Sequence, residues 1–172
     1  MASKMVCEPE SDTAVSYGVY SVPKNNIDIT FEKYATSDGQ NDNYWIRISE
    51  RTMAREKLLY YITLVIDGRK YKVDSVEPTE KYINASATFT AGPLSTFPRT
   101  NYKYYPLSRD LIDKIEAAKS ITILYNKLEM VNIPISIDAD FLTKIQDTFK
   151  LSYADYPKYW KPAQWKQIPP NT

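Results

Sequence analysis

The chain has 172 residues, 43% hydrophobic and 25% charged, the balance of a globular domain that can bury its own core and not of a disordered or fibrous chain. Its 22 Lys and Arg nearly cancel 21 Asp and Glu, so no global field gathers phosphate backbones or anionic lipid, and nucleic acid is disfavoured as a partner. The absence of histidine and the single cysteine, Cys7, exclude within this chain every Ser-His-Asp and Cys-His arrangement, every histidine metal site, an intrachain disulfide and a thiolate zinc cage.

Residues 1–13 are polar, contain Pro9 and lack periodicity, so they read as a mobile leader ahead of a single globular domain over 14–172. They carry no signal-peptide apolar run, and no stretch reaches the roughly 18 apolar residues of a membrane span. A lipid anchor would require Cys7 to be the processed first residue of a bacterial lipoprotein. Lys4-Met5-Val6 lacks the small residue such cleavage needs, and Cys7 reads as an ordinary thiol.

Strands are expected from Ala14 to Tyr20 and from Ile27 to Tyr34, where Ile27, Ile29 and Phe31 alternate with Asp28, Thr30 and Glu32. Pro23 to Asn26 supplies the turn between them. The polar run Ser37 to Asn43 is a loop. The strand Tyr44 to Ser49 follows, with Trp45 out of phase with Tyr44, Ile46 and Ile48. The clearest local signal is a hairpin, Leu59–Ile66 and Arg69–Val73 around Asp67-Gly68, a dipeptide suited to the positive φ angles of a two-residue turn. A strand at Tyr82–Phe89 and a turn-rich connection through Gly92-Pro93 and Phe97-Pro98 come next.

After Tyr105 the period becomes helical. Ser108 caps a helix with Leu111, Ile112, Ile115 and Ala118 on one face, and Asp138 caps another built on Phe141, Leu142, Ile145 and Phe149. Between them lie strands Ser120–Tyr125 and Met130–Ile137, and Pro134 places the latter at an edge or a bulge. The two helix starts are similar enough to suggest a duplicated strand-to-helix unit, although two generic capped amphipathic helices explain them as well. The fold class is mainly β (α+β): an antiparallel β-sandwich or bent sheet with two short helices in the C-terminal half. Residues 151–172, rich in aromatics and proline, form an extended strap.

Few motifs carry chemistry. Ser21-Val22-Pro23-Lys24 fits the S-x-x-K pattern of serine acyl-transfer enzymes, but it sits in a strand-to-turn context where a helix is required. Asp38 to Asp42 is rich in oxygen ligands without the calcium-loop spacing, and Asn84-Ala85-Ser86 is an isolated sequon. Most acids stand beside Lys or Arg, the pattern of a solvated surface rather than a catalytic carboxylate pair. Tyr102-Lys103-Tyr104-Tyr105 mixes aromatics with a cation in the manner of single-strand stacking surfaces.

The tail is more unusual. Tyr153, Tyr156, Tyr159, Trp160 and Trp165, interleaved with lysines, either fill the edge of the domain's own core or face a protein or carbohydrate partner. The expectation is a non-enzymatic binding or interaction module with no catalytic residue, metal or cofactor. Tyrosine-rich alternating strands favour a bacterial cell envelope, outside the cytoplasm. Two other classes stand beside it: a cytoplasmic adaptor or immunity-type inhibitor, and a histidine-free hydrolase working through carboxylates or Ser21 and Lys24.

Overall fold

A computed structural model of the chain describes residues 3–21, 27–52, 61–76, 99–127 and 131–160. The turn Pro23–Asn26 with Lys24, the strand expected at Tyr82–Phe89, the sequon, the connection to Pro98 and Trp165 lie outside the described residues. Among the described residues the fold is mainly β, in two antiparallel sheets that do not close into a barrel, with two short helices in the C-terminal half.

The first sheet holds β1 (Lys4–Ser11), β2 (Ala14–Ser21), β3 (Ile27–Thr36), β4 (Asn43–Thr52) and β7 (Arg99–Pro106), adjacent in that order. The second has the order β6 (Arg69–Asp74), β5 (Tyr61–Ile66), β8 (Ile121–Lys127), β9 (Val131–Ile137). Alternation decides which side chains each sheet turns inward. Val19, Phe31, Ile46 and Tyr105 occupy one cross-strand row of the first sheet. Ile62, Leu64 and Ile66 of β5 face inward with Ile121 and Ile123 of β8 in the second. These side chains and the apolar faces of α1 (Arg109–Ala117) and α2 (Ala139–Phe149) form one continuous buried cluster. Phe141 meets Phe31 edge-on at 5.7 Å, and Phe149 meets Tyr44 at 5.2 Å, which seats α2 on the inner face of the first sheet.

The local signals act as their chemistry requires. Asp67 (φ 49°) and Gly68 (φ 84°) make the tight turn between β5 and β6. Ser108 Oγ accepts from the Leu111 N–H and Asp138 Oδ1 from the Phe141 N–H, so both helices begin at side-chain caps. Pro134 lies in β9, the end strand of its sheet among the described residues, where a missing donor is tolerated. Gln146 Nε2 donates to the carbonyls of Ile115 and Ala118, tying α2 to the end of α1.

Three expectations are corrected. Residues 4–11 are not a mobile leader but strand β1, in register with β2 from Lys4↔Tyr20 to Pro9↔Val15. Met5 and Cys7 alone supply its inward alternation, too short a pattern to stand out in sequence. Both ends of the strand are anchored: Ser3 Oγ donates to Asp140 Oδ2 (2.8 Å), Lys144 Nζ donates to the Ser3 carbonyl (2.7 Å), and Tyr153 Oη donates to the Asp12 carbonyl (2.6 Å). Second, Tyr102 to Tyr105 belongs to β7, with Tyr104 and Tyr105 buried on opposite faces, so the two rings do not form a joint stacking surface. Tyrosine alternates there in both phases and conceals the period. Third, the tail begins not as an extended strap but as a 3-10 helix, Tyr153–Lys158.

Candidate functional site

The aromatic tail returns to the first sheet beside β1 and β2. Its 3-10 helix is fixed at the start by Asp155, whose Oδ2 accepts from the Ser152 N–H (2.8 Å) and Ser152 Oγ (3.1 Å). Those bonds, the backbone one first, hold the Asp155 carboxyl below the usual carboxylate range. Pro157 is tolerated because its fixed φ suits a 3-10 turn and a short 3-10 segment loses only one donor. The Tyr159 and Trp160 N–H groups both donate to the Tyr156 carbonyl and close the turn.

Tyr153 and Tyr156 pack together at 5.5 Å between ring centroids and lean with Leu151 on Val15, Tyr17 and Ala35. Tyr17 Oη donates to the Ser152 carbonyl (2.8 Å), and its ring meets Tyr159 at 6.5 Å and 85°. Burial pushes the Tyr17 phenol up, with Cys7, Asp155 and Tyr159 adding smaller effects. Cys7 is half-buried in the same cluster, and desolvation, followed by the Glu8 charge, pushes its thiol up to about 12. At neutral pH it therefore stays a protonated thiol, neither an activated nucleophile nor a ready metal ligand. Of the five tail aromatics, Tyr153 and Tyr156 are pinned to the sheet, Trp160 is half-buried, and Tyr159 is 44% exposed. The Lys158 side chain beside it is 76% exposed.

A second arrangement lies on the opposite face of the first sheet, where the alternation puts Thr30 and Glu32 of β3 beside Trp45 and Arg47 of β4. Glu32 Oε2 accepts from Trp45 Nε1 (2.7 Å), Glu32 Oε1 from Arg47 Nε (2.8 Å), and Thr30 Oγ1 from an Arg47 terminal nitrogen (3.3 Å). Both charged side chains are buried, and Ser16 Oγ on the same face is buried with no hydrogen-bond partner among the described residues. Sequence reasoning placed Trp45 out of phase with the core but not its carboxylate partner. The available signal was that Glu32 and Trp45 fall into one cross-strand row once β3 and β4 are joined by a short loop.

The loop carboxylates have structural partners. Asp38 Oδ1 accepts from the Gln40 N–H and Thr36 Oγ1, and Asp42 Oδ1 accepts from the Thr36 N–H and hydroxyl. These carboxylates hold the β3–β4 loop, with Gly39 at φ +69°. Ser21 is buried at the end of β2, and its relation to Lys24 lies outside the described residues. Among the described residues no group of three acidic or thiol side chains could hold a metal, and no helix is long and apolar enough to cross a membrane. Comparison with models of known protein families, with characterised proteins and with solved structures gave no match.

Proposed function

We propose that the chain is a non-enzymatic binding module that meets a protein partner through Tyr159 and Trp160, with Lys158 on the rim. The observation that supports this reading is the contrast within the tail. Tyr153 and Tyr156 are spent on fastening the segment to the sheet, whereas Tyr159 is held on a capped turn with 44% of its surface open. A rigid, amphipathic ring presented in this way loses little conformational entropy on binding. The near-perpendicular rings of Tyr17 and Tyr159 offer no flat two-ring platform for a sugar, which favours protein over carbohydrate.

The cell-envelope setting belongs to the same proposal and rests on composition alone; fractionation of the native cells tests it, and a cytosolic location would favour an immunity-type inhibitor. The surface itself is tested by placing a photo-crosslinking amino acid at position 159 or 153 in the native host. A partner trapped at 159 and not at 153 is expected, and Y159A with W160A should abolish capture at an almost unchanged Tm. A large fall in Tm with no crosslink at 159 would make these residues core fasteners and end the reading.

A further inference from the structure

The outer edge of β1 carries a short, self-complementary ladder. β1 is the end strand of the first sheet and, among the described residues, has a neighbouring strand only on the β2 side. Proline fits an edge strand where its missing N–H faces away from the neighbour. Pro9 therefore sets the parity: Pro9, Cys7, Met5 and Ser3 turn their backbone groups outward, while Glu8, Val6 and Lys4 bond to β2. At one end of the outward row the Ser3 carbonyl is taken by Lys144 Nζ (2.7 Å), and at the other Pro9 has no donor. Met5 and Cys7 are left as the two residues whose outward N–H and C=O are both suited to a new strand.

We propose that two copies of this chain associate through antiparallel pairing of β1 with β1 about a two-fold axis at Val6, joining the two five-stranded sheets edge to edge. The axis follows from the ladder. Pairing about Val6 sets Met5 opposite Cys7 of the second copy and Cys7 opposite Met5, giving four backbone hydrogen bonds. It also sets Lys4 opposite Glu8 twice, on the same face as Val6, so each cation meets an anion across the junction. A shift of the axis by one residue in either direction removes that match and sets Cys7 opposite Ser3, whose carbonyl is already taken, or Met5 opposite Pro9, which has no donor. Val6 meets Val6 at the centre. In its own sheet Val6 is opposite Gly18, which offers it no cross-strand side chain. Burial and the neighbouring Glu10 push the Glu8 carboxyl up, and an opposing lysine would favour its charged form. The ladder is short, so the association is weak and reversible. It uses the strand edge and not the Tyr159 surface, and stands apart from the binding role above.

Three measurements on the full chain test it. In the V6C/C7S variant the central residues form a non-hydrogen-bonded pair, with Cα atoms about 4.5 Å apart, inside the range a disulfide spans. Oxidised glutathione should therefore give a covalent dimer, whereas E8C/C7S, whose cysteines are displaced along the strands, should stay monomeric. In sedimentation equilibrium K4E or E8K should weaken association about tenfold, and K4E/E8K together should restore it. In the unmodified protein, amide exchange at Met5 and Cys7 should slow as concentration rises to that used in NMR. A monomer at that concentration with concentration-independent exchange would overturn the proposal, as would a dimer insensitive to both charge reversals.

Discussion

Glu32 is a carboxylate with 1% of its side chain exposed, and it persists in β3 because the Arg47 guanidinium and the Trp45 indole both donate to it. A buried pair of this kind contributes little beyond what apolar side chains of the same volume would, because desolvation offsets most of the attraction. Breaking it is another matter. The R47M variant takes the Arg47 guanidinium away from a buried carboxylate and should lose about 3–5 kcal/mol in urea unfolding. E32Q/R47M, which removes both charges, should recover most of that loss. If R47M unfolds at the same midpoint as the parent chain, the pair is solvated and the buried network does not hold the sheet face. Lys33, one residue along, shows the contrasting use of a buried cation: its ammonium donates to the Phe149 carbonyl (2.8 Å) and neutralises the C-terminal end of α2.

At the level of elements, the turn after β5 does more than reverse the chain. Asp67 Oδ1 accepts from the N–H groups of Lys119 and Ser120 (both 2.9 Å), so one side chain joins the β5–β6 hairpin to the link between α1 and β8. D67A removes both bonds and places alanine at φ 49°; it should destabilise the fold by about 1–2 kcal/mol by denaturant midpoint, with D67N, which keeps an acceptor and tolerates that φ, markedly milder. Equal losses for the two variants would assign the effect to charge instead. This hairpin was legible from Asp67-Gly68, and so were β2, β3, β4 and both helix caps, because in each the signal lies within a few consecutive residues. β1 was not, since its inward alternation is short and its ends are secured by Asp140, Lys144 and Tyr153, more than a hundred positions away in the chain. The tail aromatics were legible as a group needing burial. Which of them face the sheet depends on the 3-10 turn at Pro157, and proline in sequence argued against any helix.

In the molecule as a whole, the largest core is common to both sheets, while the first sheet adds two smaller clusters of its own around Tyr17 and Trp45. The inner faces of both, together with α1 and α2, contribute to one cluster, and Val76, just beyond β6 of the second sheet, forms a bridge with Tyr104 of β7 in the first. Unfolding in denaturant should therefore be a single transition, with far-UV circular dichroism and tryptophan fluorescence giving the same midpoint. Two separated midpoints would mean that the sheets are independent units. The sandwich-like architecture was readable from alternation; the sharing of strands was not, because β7 returns to the first sheet after β5 and β6 have begun the second.

The fastening of β1 also orders events in time. Asp140, Lys144 and Tyr153, which secure its ends, follow it in the chain by more than a hundred residues and so leave the ribosome well after it. During synthesis β1 to β4 can pair by local meander contacts, but the ends of β1 stay unsecured until those residues have emerged. Final closure of the first sheet is thus a late step, completed only when the helix and turn that complete its margin have emerged.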